Sequence, residues 1–172
     1  MMKVSERNSP ENIQGLIRDL GSPDRSTRKL ARQLLIQDGK TAVPALIEEL
    51  SNGNPEARLE AAKILSAIKN PSAAAAFIQA LEDDDFGVRW SAMEGLIGLE
   101  KAGLEPLLLA LKKDFDSVRL REGAHRVLRV LNEQDQLDQP VVKVLEALES
   151  IQPGVDLPWA AEAALKSLAQ PN

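Results

Sequence analysis

Chemistry in a protein needs side chains that ionise, ligate or attack, and this sequence offers few of them. It contains one histidine, His125, and no cysteine. A lone histidine cannot build a multi-histidine metal site, and without a thiol it cannot form a cysteine–histidine dyad. The missing cysteines also remove disulfide frameworks and thiolate zinc sites. The densest acidic run, Glu82-Asp83-Asp84-Asp85, lacks the alternating ligand spacing of a calcium loop. It reads instead as a solvated turn whose last residue caps a helix. No glycine-rich phosphate loop and no nucleophile elbow occurs. We therefore assign no catalytic residue, no metal ligand and no cofactor.

What remains is binding, and two groups of residues carry it. The first is apolar: Trp90, Met93 and Ile97, with Leu59, Ala62, Ile36 and Trp159 in neighbouring repeats. The second is a basic sector, His125, Arg126 and Arg129, with Arg119 and Arg121 close by and Glu122 in its midst. Arginine suits bidentate pairing with a carboxylate, so the basic sector suggests an anionic partner surface or ligand carboxylates. Whether either group is a site depends on the elements that present it.

Those elements are helices. The chain has 172 residues, 3% aromatic residues and no tyrosine, and helix formers dominate it. An apolar stripe at i, i+3, i+4, i+7 recurs five times. The copies are Ile13-Leu16-Ile17-Leu20, Val43-Leu46-Ile47-Leu50, Ala74-Phe77-Ile78-Leu81, Leu104-Leu107-Leu108-Leu111 and Val141-Val144-Leu145-Leu148, spaced by 30, 31, 30 and 37 residues. A second helix follows each copy, buried at i, i+4, i+7, i+8 and i+11. Its copies begin at Thr27, Ala57, Val88, Leu120 and Leu157, and the first is frayed at its last position, Asp38.

Helix-start chemistry supports the register. Asp24, Asn54, Asp85 and Ser117 stand ahead of second helices as N-caps, and Asp156 with Leu157-Pro158 is expected to do so in the fifth copy. Pro44, Pro106 and Pro140 are expected at the starts of first helices, and Gly39 and Gly103 between pairs. One pair cannot cover its own apolar stripes, so neighbours must stack into a continuous core. The expectation is an all-α, right-handed superhelix of five helix pairs. Residues 1–10 would form a flexible segment and 11–170 one domain, with repeats at about 11–39, 40–70, 71–102, 103–136 and 137–170.

The stretch Ala42-Val43-Pro44-Ala45-Leu46-Ile47-Glu48-Glu49-Leu50, and Val88-Arg89 with Ala92 and Leu96, resemble HEAT-like repeats of the phycobilisome lyase type. The resemblance extends over residues 11–169. Arg28, Arg58, Arg89 and Arg121 match the repeat's characteristic arginine. The resemblance implies that this arginine pairs with acidic turn residues and ties successive repeats together. The fifth repeat has Pro158 at that place, as a terminal cap would. HEAT-type iron hydroxylases carry repeated His-Glu pairs that this sequence lacks. The resemblance also implies that second helices line the concave side.

On a second helix, offsets 2, 5 and 9 from the first buried position point about 200°, 140° and 180° away from it. These positions should meet water, yet in the third repeat they are Trp90, Met93 and Ile97. Apolar residues on such a face mark a partner site, with Trp and Met enriched there; packing between adjacent second helices is the competing explanation. The leading reading is a non-catalytic adaptor holding a protein partner on Leu59, Trp90, Met93, Ile97, His125, Arg126, Arg129 and Trp159. The alternative implied by the resemblance is a bilin lyase subunit or maturation factor for tetrapyrrole proteins, enzymatic only with a partner. Nucleic acid ranks last, because the net charge is −5 and the basic sector is broken. Nothing in the sequence reads as a signal peptide or membrane span, so the expected location is cytoplasmic.

Overall fold

The computed structural model describes residues 9–170. The expected flexible segment lies outside the described residues up to residue 8. Among the described residues ten α-helices follow in order: α1 Pro10–Leu20, α2 Arg25–Asp38, α3 Val43–Asn52, α4 Pro55–Ile68, α5 Ala74–Ala80, α6 Phe86–Leu99, α7 Lys101–Lys113, α8 Val118–Glu133, α9 Gln139–Leu148 and α10 Pro153–Leu168. Short 3-10 turns at Gly39–Ala42 and Pro71–Ala73 lead into α3 and α5.

The four central caps form as their side chains dictate. Asp24, Asn54, Asp85 and Ser117 each accept a hydrogen bond from the backbone N–H three residues on, at Thr27, Ala57, Val88 and Leu120. Each satisfies an amide that the helix leaves unpaired. Helix ends are released by residues in unusual backbone conformations: Gly39, Lys69 and Glu100 have φ of 56°, 54° and 53°. Only the first of these is a glycine.

Three sequence expectations need correction here. Gly103 does not end a helix; it lies buried within α7, close against the Leu96 carbonyl. Pro106 therefore falls inside α7, because that helix begins at Lys101. Asp156 does not cap the last helix, which starts at Pro153 and takes Pro158 into its interior.

The two apolar stripes close one core from Ile13 to Ala164. Leu20, Leu46, Phe77, Leu107 and Val144 of the first helices are fully covered, as are Leu35, Leu65, Leu96 and Leu128 of the second. The side chain of Asp38 lies outside the described residues. The repeats stack in the right-handed α-α superhelix that the periodicity implies. First helices α1, α3, α5 and α7 pack side by side in one layer, and second helices α2, α4, α6 and α8 in the other.

The fifth pair departs from this register. Its first helix, α9, packs beside α8 in the second-helix layer, while its second helix, α10, packs against α7 in the first. Two contacts hold the exchange. Lys112 of α7 meets Glu162 of α10 at 2.5 Å, and His125 Nε2 of α8 meets Glu149 Oε1 after α9 at 2.9 Å. Lys112 and then Lys166 hold the Glu162 carboxyl below the usual carboxylate range.

Candidate functional site

The second-helix layer carries a cleft between α6 and α8. Leu81, Phe86, Arg89, Trp90, Met93, Arg119, Glu122, Gly123 and Arg126 line it, around a volume of about 220 Å³. Gly123 lets α8 close on Leu81, the residue that follows α5; a Cβ there would stand 2.8 Å from Leu81 Cδ2. Met93, with 9% of its surface exposed, is part of the core at this point, and Trp90 above it is 42% exposed.

The walls are aromatic and cationic together. The Arg126 guanidinium lies 3.9 Å from the Trp90 ring centroid, and its Nη2 donates to Glu94 Oε1 at 2.7 Å. Such a stack contributes about 0.5–1 kcal/mol at an exposed site and more when desolvated. The Arg126 Nε–H is buried and has no hydrogen-bond partner among the described residues. Phe86 meets Trp90 at 6.0 Å between ring centroids, and Arg89 sits 5.6 Å from the Phe86 ring. Arg89 Nη1 donates to the carbonyls of Asp83 and Asp84 at 2.6 and 2.9 Å. Arg119 Nη1 reaches back to Glu82 O at 2.7 Å and Asp84 Oδ1 at 3.0 Å.

The acidic turn thus anchors two of the cleft's three arginines, Arg89 and Arg119. Asp83 takes Arg58 in a bidentate pair, at 2.7 Å from Nε and 3.0 Å from Nη2. Burial alone would raise the Asp83 pKa. The Arg58 hydrogen bonds, the Asp85 amide and the charges of Arg58 and Arg89 outweigh it and leave the carboxyl below its usual range. Asp85 caps α6, and the Glu82 carboxylate accepts from the Ser117 hydroxyl.

The predicted site residues do not all come together. Trp90, Met93 and Arg126 meet in the cleft. Met93 was expected to face water and does not, because α6 is flanked by α4 and α8, and its 140° direction points into that packing. Ile97 and Leu59 are likewise half-buried against the core, for the same reason. Arg129 is exposed and pairs with Glu133 of its own helix at 3.8 Å. His125 lies in a separate groove with Val118, Arg121, Glu122, Leu148, Glu149 and Pro153. Trp159, 77% exposed, sits on α10 in the first-helix layer, so the exchanged hairpin separates it from Trp90.

The repeat arginines also divide. Arg58 ties its repeat to the next through Asp83, whereas Arg28 and Arg89 bond carbonyls of their own turns. Among the described residues the Arg121 guanidinium forms no hydrogen bond or ion pair. Arg119 makes the tie to the preceding repeat instead. Sequence reasoning missed Phe86, Arg89 and Gly123 as cleft residues. Phe86 had a signal: it stands four residues before Trp90, on the same helical face.

Comparison with known proteins fits this architecture. The family model for HEAT repeats matches residues 9–97 and 43–129. The chain is a HEAT-repeat protein. It is similar to the "Phycobilisome maturation protein" of Synechococcus elongatus, with 34% identity over 135 residues, covering 74% of this chain. That alignment takes in 65% of the relative's length, so the chain spans just under two thirds of it. Its structure is similar to a chain of the complex of CpcE and CpcF of phycocyanin lyase from Nostoc sp. PCC7120, with a TM-score of 0.58 and 26% identity, covering 91% of this chain and 99% of that one. No helix among the described residues is long and apolar enough to cross a membrane.

Proposed function

We propose that this HEAT-repeat protein is a maturation factor of the phycobilisome lyase type, which works with a second protein to bring a phycobiliprotein and its bilin together. The observation that carries the reading is the combined likeness to a phycobilisome maturation protein and to a chain of a phycocyanin lyase complex. It favours the maturation alternative over a general adaptor. The cleft supports the same role. Small-molecule sites usually measure about 300–1,000 Å³, and this one has about 220 Å³. It is large enough for a side chain or one edge of a tetrapyrrole and too small to enclose a whole bilin. At this cleft the protein would therefore hold its partner rather than enclose the chromophore.

This assigns covalent chemistry to the complex. Nucleic acid is a poor fit, because the net charge is −5.

The test combines the purified protein, a CpcE/CpcF-type partner subunit, an apo-phycobiliprotein subunit and phycocyanobilin. Covalent attachment is followed by bilin absorbance and by zinc-enhanced fluorescence on denaturing gels. We expect faster attachment, or a higher yield of the correct adduct, when this protein is present with the partner. No association with either protein and no change in rate or yield would overturn the proposal.

A further inference from the structure

We infer that the α6–α8 cleft is a docking site for an acidic segment of a protein partner, one that sets a carboxylate beside an aliphatic or aromatic side chain. The inference rests on the reading that the second-helix layer holds a protein.

Three observations lead to that chemistry. The first is charge: three arginines and one glutamate line the cleft in a protein of net charge −5, and Asp84 and Glu94 offset two of those arginines from outside the lining. The second is the donors that remain. A guanidinium has five N–H donors. Arg89 and Arg119 each use Nη1 on protein acceptors, and Arg126 uses Nη2. Among the described residues the opposite terminal nitrogen of each arginine bonds to no protein acceptor. Carboxylates are the side-chain anions whose geometry matches that fork. The third is the floor: Leu81, Met93 and the Trp90 and Phe86 rings form an apolar bed directly beside those donors.

Together these call for an amphipathic ligand. A bare anion would leave the apolar floor uncovered, and an uncharged apolar group would cover arginine donors without satisfying them. The size of the cleft selects one anchoring side chain with its neighbour, as a polypeptide supplies. Trp90 and Arg126 already stack on each other, so little side-chain freedom is lost when a segment binds.

Trp90 itself reports the event. The chain has two tryptophans, and Trp159 is remote and exposed. In a Trp159→Phe background, Trp90 fluorescence is titrated with a short blocked peptide alternating glutamate and leucine. Two control peptides replace glutamate with glutamine, or leucine with serine. We expect a saturable change with the glutamate–leucine peptide and affinity lower by about tenfold or more with either control. Arg119→Gln, tested after circular dichroism shows an unchanged fold, should weaken the parent peptide by about tenfold, whereas Arg129→Gln leaves it unchanged.

Equal binding of the glutamine peptide, equal binding by Arg119→Gln, or no saturable response at millimolar peptide would each overturn the inference. Peptide binding without any effect on chromophore attachment would leave the docking site standing and remove the maturation role. The reverse pattern would remove the docking site alone.

Discussion

Gly95→Ala tests whether the core is fixed by the fit between one first helix and its second. Gly95 lies on α6 against the ring of Phe77, which is fully buried; an added Cβ would stand 2.4 Å from Cζ and 2.6 Å from both Cε atoms. Non-bonded carbons prefer about 3.5–4.0 Å, so the ring or the helix would have to retreat by about 1 Å in a region with no slack. Overpacking of this kind costs about 1–3 kcal/mol, and so severe a contact belongs at the upper end. The helix itself gains about 1 kcal/mol from replacing glycine by alanine. The net expectation is a loss of about 2 kcal/mol, read from urea unfolding followed by circular dichroism. A smaller residue in place of Phe77 should repair the fit. At the place of Phe77 the other first helices carry Leu16, Leu46, Leu107 and Val144, and at the place of Gly95 the other second helices carry Leu34, Ile64, Val127 and Ala164. Large residue and glycine are therefore a matched pair. The double variant Phe77→Leu, Gly95→Ala should be more stable than the sum of the single losses predicts, by about 1 kcal/mol or more. A stabilised Gly95→Ala protein, or strictly additive losses, would refute the account.

Two further outcomes follow from the acidic turn. Asp83→Asn removes a bidentate partner from Arg58 in a pair that is mostly covered, and should cost about 1–3 kcal/mol at neutral pH. Because the folded Asp83 carboxyl titrates below its unfolded value of about 3.9, its contribution is complete above that value and is lost as pH falls through the lowered folded pKa. The stability gap between wild type and Asp83→Asn should hold steady down to about pH 5 and close below about pH 4; a gap that widens in acid would contradict this. Arg119→Gln should cost about 1 kcal/mol, while Arg121→Gln stays within about 0.5 kcal/mol. Thermal melts showing the same loss for both would restore Arg121 as a structural tie.

Most of the architecture was legible because two signals agreed. The apolar stripes set which faces are buried, and Asp24, Asn54, Asp85 and Ser117 set where four second helices start, and both are local properties of the chain. The same locality explains the failures. Gly103 and Pro106 looked like boundary residues, but α7 takes in both because the chain turns earlier, at Glu100, whose φ is positive, one residue before that helix starts. Met93 and Ile97 lie opposite the core stripe of their own helix, yet what covers them comes from adjacent helices. A helical wheel drawn for α6 alone contains no neighbours. Arg121 keeps the repeat's spacing, four residues after its cap, while Arg119 takes the bond, since which arginine reaches the acidic turn depends on how α8 packs against the preceding repeat.

The exchanged terminal hairpin is the least local feature, and it decides which tryptophan can serve the cleft. The 37-residue spacing before the fifth stripe and Pro158 in place of the repeat arginine were its traces in the sequence. With α10 moved to the first-helix layer, Trp159 stands on a different surface with Ile151 and Val155 also exposed. Trp90 keeps less than half of its surface exposed and is gripped between Phe86 and Arg126. An anchor contributes affinity in proportion to how little order must be created when it binds, and hot spots lie where an aromatic residue is already set in a packed, partly desolvated wall. By that criterion the more exposed tryptophan is the weaker candidate, and the half-buried one, held beside arginines with unspent donors, is the stronger candidate for the proposed docking site.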